Sequence, residues 1–193
     1  MNRSTDLQAF LDQASLSLQA CTTGPALAAA KRAISMWESG EGRKSAAQGE
    51  RLPVCRWLEQ GLDDAASGPR GDLARAFAAI EASLIWRRRN SARPEDSVFW
   101  DGHANAMILG PGGLEDRADI WIGATVMAPG VTYVDHDHPP EEVYLSLTPG
   151  EWWNAEMDWT DPGPSGFVYN PPGILHRMRA GSSPFLALWF LPV

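Results

Sequence analysis

The stretch GVTYVDHDHPPEEVY, residues 130–144, decides the fold of this chain. Within it His136 and His138 are two residues apart, and Glu142 follows four residues after His138. Residues two apart on an extended strand point to the same face, so both imidazoles can face one interior. Two imidazoles and a carboxylate at this spacing suit a borderline divalent metal ion. The stretch therefore predicts a metal site carried by β-structure.

A second segment, PPGILH at residues 171–176, adds another histidine about 30 residues further on. His176 can complete the ligand set from a distant strand. Three of the four histidines then belong to one ligand-like pattern, which is unusual for isolated structural residues. The fourth, His103, lacks such a context, and we interpret it as an ordinary structural histidine.

The second half of the chain has the pattern of short strands. Apolar runs are separated by turn sequences rich in glycine and proline, at a spacing typical of a β-sandwich or barrel. The predicted strands are residues 104–109, 120–127, 142–147, 152–158, 166–169, 176–179 and 185–191.

The first half has helical periodicity. A first helix, capped by Thr5 or Asp6, ends at Gly24-Pro25, and Pro25 opens a second helix that ends near residues 40–42. Residues 43–51 are polar and predict a loop, and residues 53–62 predict a short helix. A longer helix capped by Asp72 follows, and we place the basic run 87–89 in its last turn as a solvated helix end.

Charge and composition exclude several classes of protein. The net charge is −8, and residues 96–193 hold 13 acidic but only 3 basic residues, so binding to a nucleic-acid backbone is not expected. No apolar stretch is long enough to span a bilayer, and the two cysteines, Cys21 and Cys55, are expected to be free thiols. These features predict a soluble, cytoplasmic protein.

The two histidine segments resemble the cupin superfamily. Gly130 to Gly150 matches the first cupin motif with one extra residue, and Pro171 to His176 matches the second. The asparagine of the second motif is replaced by Ala180. The resemblance implies an α+β protein, with a helical N-terminal extension over residues 1–97 and a cupin β-barrel (a double-stranded β-helix, or jelly roll) over residues 98–193.

A closer resemblance is to the cupin-type dimethylsulfoniopropionate (DMSP) lyases of marine bacteria. Tyr144, two residues beyond Glu142, distinguishes this group from cupins in general, and Tyr133, Trp189 and the helical extension are also similar to it. The resemblance implies that Tyr144 is the catalytic base and that Tyr133 and Trp189 bind the substrate. The implied metal ligands are His136, His138, Glu142 and His176.

The residue chemistry fits such a reaction. A metal can stabilise the negative charge that develops when the proton next to a carboxylate is removed, and it can also lower the pKa of a tyrosine. Aromatic faces suit a sulfonium cation, and Trp152, Trp153 and Trp159 are further candidates for this role. We expect one divalent transition metal, foremost iron or zinc, with manganese, cobalt or nickel as alternatives.

Two other functions remain open at this point. One is another metal cupin enzyme, such as an isomerase or an iron dioxygenase; the dioxygenase would not need Tyr144. The other is a cupin that binds a small ligand without catalysis. In each case we expect a small-molecule partner, no nucleic acid and no membrane, with a homodimer as the expected assembly.

Overall fold

Helices make up most of the first hundred residues. The computed structural model describes residues 3–40, 42–45 and 48–193. Within these ranges the helices are α1 (Thr5–Cys21), α2 (Gly24–Ser39), a 3₁₀ helix (Pro53–Trp57), α3 (Leu58–Ala66), α4 (Gly71–Glu81) and α5 (Ser97–Gly102). None of them is long and apolar enough to cross a membrane.

Local sequence explains where the first two helices begin. The Oγ atom of Ser4 accepts a hydrogen bond of 3.3 Å from the N–H of Leu7, so the cap is one residue earlier than predicted. Pro25 lies in the first turn of α2, where its missing N–H costs nothing. Helix α2 ends at Ser39 with Gly40 as its C-cap, in agreement with the end predicted at residues 40–42. Glu41 lies outside the described residues.

The strands lie mainly in the second half. In chain order they are β1 (Arg43–Lys44), β2 (Trp86–Arg87), β3 (His103–Leu109), β4 (Glu115–Asp116), β5 (Ile120–Met127), β6 (Glu142–Ser146), β7 (Glu151–Asn154), β8 (Met157–Thr160), β9 (Phe167–Asn170), β10 (His176–Arg179) and β11 (Phe185–Pro192).

These strands form two sheets. The larger has the order β1-β4-β3-β5-β11-β6-β9, with β2 also pairing with β3, and the smaller has the order β10-β7-β8. Their inner faces pack together through one apolar cluster that includes Tyr144, Trp152, Met178 and Phe185. Helices followed by a largely antiparallel two-sheet barrel confirm the predicted α+β class.

The helices cover the outer face of the larger sheet. Helix α2 contacts β5, β6, β9 and β11, and the ring centroids of Trp37 and Phe190 are 6.1 Å apart. A single apolar core extends from α1 to β11. Strands β1 and β2, which belong to the first half of the sequence, extend the same sheet.

Three local predictions are wrong. The predicted strand 152–158 is the hairpin β7–β8, whose turn is closed by a 3.0 Å bond from the N–H of Glu156 to Oδ1 of Asn154. Helix α4 ends at Glu81, so the basic run 87–89 begins in β2 and is not a helix end. The predicted loop 43–51 contains β1, while its residues 46 and 47 lie outside the described residues.

Candidate metal and substrate site

Three histidines converge at one end of the barrel. His136 and His176 form a β-bridge with each other, and His138 follows on the segment that leads into β6. One ring nitrogen from each of the three lies within 4.8 Å of the others. The tertiary structure therefore brings together the three histidines that the sequence predicted as ligands.

Backbone carbonyl groups orient all three rings. The Nδ1 atoms of His136, His138 and His176 lie 2.9, 2.8 and 2.9 Å from the carbonyl oxygens of residues 134, 140 and 174. A carbonyl only accepts, so each Nδ1 carries a proton, and in the neutral form of each ring Nε2 has a lone pair for a metal. The Nε2 of His176 is buried and has no hydrogen-bond partner. This arrangement is typical of histidines that bind a metal through Nε2.

Glu142 lies beside the Nε2 atoms of two of these histidines. Its Oε2 atom is 3.3 Å from Nε2 of His138 and 3.2 Å from Nε2 of His176, and it accepts a 3.1 Å bond from Nδ2 of Asn170. Burial raises the pKa of Glu142, but the two neighbouring histidines outweigh it and lower the pKa overall. The carboxylate is therefore ionised and can act as a fourth ligand.

The pKa values of two of the histidines are shifted in opposite directions. Burial, aided by the nearby charges of His176 and Arg89, lowers the pKa of His136 to about 3, so its ring is neutral. Burial also disfavours the charged form of His138, but Glu142 raises the pKa of His138 overall. A neutral imidazole is the form that binds a metal, so His136 has the protonation state of a ligand.

Tyr144 is buried two residues beyond Glu142 on β6. Its side chain packs against Trp152 with ring centroids 6.0 Å apart. Burial and the negative charge of Glu142 raise the pKa of Tyr144 well above its usual value. In this environment Tyr144 needs an added positive charge before it can act as a base near neutral pH.

A row of residues across four paired strands forms one wall of the site. Met107, Gly123, Trp189 and Tyr144 lie next to each other in register on β3, β5, β11 and β6. A Cβ atom on Gly123 would lie 2.2 Å from Cζ2 of Trp189, so the indole lies across this glycine. The absence of a side chain at residue 123 makes room for the ring of Trp189.

A chain of hydrogen bonds holds the aromatic side chains of this wall. Nε1 of Trp189 donates to Oγ1 of Thr125 at 3.2 Å, and that hydroxyl donates to Oδ1 of Asn105 at 2.6 Å. Nδ2 of Asn105 in turn donates to the hydroxyl of Tyr133 at 2.7 Å. The two predicted substrate-binding residues, Tyr133 and Trp189, are therefore linked through two polar residues that sequence reasoning missed.

These residues surround a cavity of about 780 Å³. The predicted site residues on its wall are Tyr133, His136, His138, Glu142, Tyr144 and Trp189. The wall residues that sequence reasoning missed include Arg89, Asn105, Met107, Trp121 and Thr125. The alternation of side chains along β3 and β5 is the signal that could have placed Asn105 and Thr125 on the inner face.

The other candidate tryptophans lie outside this cavity. Trp152 packs against Tyr144 and against Phe185, with ring centroids 4.9 Å apart in the second pair. Trp153 and Trp159 stack with arginines on the other face of the smaller sheet: Cζ of Arg177 is 4.5 Å from the ring centroid of Trp153. None of the three tryptophans lines the cavity.

His103 is a buried residue behind the cavity wall. Its ring stacks on Phe99 with centroids 3.6 Å apart, its Nδ1 bonds the carbonyl oxygen of Phe99, and its Nε2 accepts a 2.9 Å bond from the N–H of Arg89. Burial lowers the pKa of His103 to about 4, so the ring is neutral. Its place in the fold agrees with the structural role expected from the sequence.

Comparison with known proteins identifies the family. The model of the dimethylsulfoniopropionate lyase family matches residues 28–187. This chain belongs to that family. The match includes both histidine segments and most of the helical half, so the resemblance seen in the sequence is confirmed.

Individual members of the DMSP lyase family are also similar. The putative lyase DddL of Cereibacter sphaeroides is 31% identical over 133 residues, which are 68% of this chain and 55% of that protein. The lyase DddQ of Ruegeria pomeroyi is 33% identical over 118 residues, which are 58% of this chain and 57% of that protein. The matched part of this chain thus spans about half the length of each relative.

The solved structure of DddQ from Ruegeria pomeroyi has the same fold. It matches with a TM-score of 0.77 at 22% identity, over 99% of this chain and 93% of that one. The agreement extends over the helical half as well as the barrel. Helical extension and barrel therefore occur together in another member of the DMSP lyase family.

Proposed function

We propose that this protein is a metal-dependent DMSP lyase, which cleaves dimethylsulfoniopropionate to dimethyl sulfide and acrylate. Membership in the family supports the reaction. The observation that carries the proposal is the set of three converging histidines beside Glu142, in a cavity that also contains Tyr144. The activity is thus assigned from the geometry of the site as well as from similarity to family members.

The proposed ligands are His136, His138, His176 and Glu142. The unpartnered Nε2 of His176 and the ionised Glu142 fit this role, because buried polar groups in proteins almost always have a partner. Three imidazoles and one carboxylate suit a divalent transition metal, with iron or zinc foremost and manganese, cobalt or nickel as alternatives. Such an ion would supply positive charge next to the substrate carboxylate and next to Tyr144.

Tyr144 is the proposed base. Its phenolate takes the proton from the carbon next to the substrate carboxylate. The electron pair of that C–H bond forms the carbon–carbon double bond, and the bond from the next carbon to sulfur breaks. Dimethyl sulfide leaves with the electrons of the C–S bond, so the products are neutral dimethyl sulfide and acrylate. Burial of Tyr144 excludes competing water from the proton transfer.

The cavity wall has an aromatic surface for the sulfonium end of the substrate. A trialkylsulfonium has no N–H or O–H to donate, so it interacts best with aromatic faces. Trp189, held over Gly123 and bonded to Thr125, presents a fixed indole to the cavity. Tyr133 lies at the other end of the same hydrogen-bond chain, also on the cavity wall, and is the second proposed substrate-binding residue.

A direct assay tests this proposal. Purified protein is stripped of metal, reloaded with each candidate ion and incubated with DMSP, while dimethyl sulfide in the headspace is measured. We expect dimethyl sulfide with at least one metal and none without metal. A His176→Ala variant should lose both bound metal and activity, whereas a His103→Asn variant should keep its metal.

The same samples separate the alternative functions. Oxygen consumption without release of dimethyl sulfide would favour a dioxygenase, and binding of DMSP without turnover would favour a non-catalytic cupin. Either result would refute the proposed lyase activity. The expected homodimer and cytoplasmic location stay predictions, which light scattering of the purified protein and fractionation of source cells would check.

A further inference from the structure

The basic run Arg87, Arg88 and Arg89 lies at the edge of the cavity. Arg87 forms an ion pair of 2.5 Å with Glu50. Arg88 donates a 2.6 Å bond from Nε to the carbonyl of Trp100, pairs with Asp101 at 3.2 Å and stacks on the indole of Trp100. The first two arginines of the run are therefore held by partners of the protein itself.

Arg89 differs from its two neighbours. Its Nε donates to Oγ of Ser91 at 3.0 Å, and its Cζ lies 5.9 Å from the ring centroid of Tyr133. Among residues 3–40, 42–45 and 48–193, no carboxylate lies within ion-pair distance of this guanidinium. A half-buried arginine on a cavity wall without an anionic partner is suited to an anionic ligand.

The backbone of Arg89 is fixed in place by the barrel. Arg87 pairs with Asn105 at the end of the β2–β3 ladder, and the N–H of Arg89 donates to Nε2 of His103 two residues later. His103 is itself held by stacking on Phe99 and by its bond to the Phe99 carbonyl. The segment that carries Arg89 is therefore anchored at two points next to the cavity.

The charge of Arg89 acts on the site. Its guanidinium belongs to the cavity wall that also carries Tyr133 and His136. Positive charge at this wall attracts a carboxylate and repels a sulfonium. The ring of Tyr133 already faces Arg89, while no arginine or lysine in the described part of the chain lies over Trp189.

We propose that Arg89 binds the carboxylate of the substrate and so turns its sulfonium end toward Trp189. This inference rests on the proposed lyase function and adds a residue that sets substrate orientation and specificity. A carboxylate has two oxygens, so it can bind a guanidinium and a metal ion together. Arg89 is thus a cation from the helical half that completes a cavity built mainly by the barrel.

Binding to the metal-free protein tests this role without relying on turnover. Calorimetry measures the dissociation constants of DMSP and of its amide, 3-dimethylsulfoniopropionamide, which keeps the sulfonium but lacks the carboxylate. The variants are Arg89→Gln, Arg89→Lys and, as a matched control, Arg75→Gln, whose arginine is exposed on α4 and pairs with Asp72. Thermal unfolding of each variant checks the fold.

We expect Arg89→Gln to weaken DMSP binding by about 10- to 100-fold, the effect of removing a charge-assisted hydrogen bond. Binding of the amide should change by less than about twofold, because its neutral carbonyl forms no ion pair with Arg89 and can accept a hydrogen bond from the glutamine side chain instead. Arg89→Lys keeps the charge but lacks the planar guanidinium that can donate two parallel hydrogen bonds. Its affinity should fall by about 3- to 10-fold for DMSP and stay unchanged for the amide. Arg75→Gln should behave like the wild type.

Three results would overturn the proposal. The first is an equal loss of affinity for DMSP and for the amide in Arg89→Gln. The second is no loss of affinity for either ligand, and the third is no binding of DMSP by the metal-free wild type. If Arg89→Gln does not fold, Arg89→Lys provides the test: its affinity should fall for DMSP and not for the amide. Absence of lyase activity in the metal-loaded wild type would refute the proposed function, whereas the ratio of DMSP to amide binding still reports on Arg89.

Discussion

The two faces of the larger sheet share the same strands but hold different side chains. The face toward the helices is aliphatic or aromatic, as at Ile122, Leu145, Leu188 and Phe190, and all of these are buried in the main core. The face toward the cavity carries the polar and aromatic residues of the site. Because side chains alternate along a strand, one backbone supports stability on one face and chemistry on the other.

This difference predicts that substitutions on the two faces have separable effects. On the helix-facing side, a truncation removes packing and leaves a void, so it changes the free energy of unfolding. On the cavity side, a conservative change alters reactivity while the packing stays intact. Functional sites often hold residues that local stability alone would not select.

Tyr144→Phe should give the largest effect. Loss of the base is expected to lower kcat by about 1,000-fold, or about 4 kcal/mol in activation free energy, with metal content unchanged. Release of dimethyl sulfide at saturating DMSP measures it. Tyr169→Phe is the matched control on the neighbouring strand, because the hydroxyl of Tyr169 donates to Glu141 outside the cavity. Near wild-type turnover by Tyr144→Phe would rule out this base.

Leu188→Ala tests the opposite face. Leu188 is fully buried next to Trp189 in the sequence but faces the helices. Its truncation should lower the free energy of unfolding by about 3 kcal/mol, as measured by urea denaturation. Under conditions in which the variant is folded, its KM for DMSP should change by less than about twofold. A large rise in KM with little loss of stability would contradict the separation of the two faces.

The buried, neutral ring of His103 should make the free energy of unfolding depend on pH. Burial holds its pKa in the folded protein at about 4, below the ordinary value of 6.5. As the pH falls below about 6.5, the unfolded chain binds a proton that the folded protein does not, so this stabilisation is lost between about pH 6.5 and pH 4. From pH 7 to pH 4.5 the loss should be about 2 kcal/mol.

Urea unfolding of metal-free protein at the two pH values measures this change. His103→Asn keeps a donor toward the carbonyl of Phe99 but does not titrate. Its loss of stability over the same interval should be about 2 kcal/mol smaller than that of the wild type. Equal losses would show that His103 does not stay neutral in the folded protein.

Gly123→Ala should give the smallest effect of the four. The added methyl group overlaps the indole of Trp189 and the carbonyl oxygen of Ala106, so the ring must move. We expect kcat/KM for DMSP to fall by about 10-fold, or about 1.4 kcal/mol. In a Trp189→Ala background the same change should cost less, because only the overlap with the carbonyl oxygen of Ala106 remains.

Gly181→Ala is the control for this substitution, because a methyl group there has no atom within 4 Å. It should leave kcat/KM unchanged. A full 10-fold effect of Gly123→Ala in the Trp189→Ala background would mean that the glycine does not act through the indole.

Local sequence was sufficient for the main elements and for the grouping of the candidate metal ligands. Strand periodicity predicted β5 and β10 to the residue, and helical periodicity predicted that α1 and α2 are helices. The motif spacing also predicted which histidines and which glutamate come together. These features could be predicted because alternation, capping and motif spacing act over a few residues of the chain.

The rest of the site depended on tertiary structure. Arg89 was assigned to a helix end, yet pairing of β2 with β3 brings it to the cavity, about 50 residues from the ligands in sequence. Likewise, Asn105 and Thr125 meet Tyr133 and Trp189 only through strand pairing and side-chain bonds. Such contacts join residues far apart in the chain, so no local pattern encodes them. The sequence by itself determined the fold class and the proposed metal ligands, whereas only the tertiary structure decided which residues of the helical half complete the cavity.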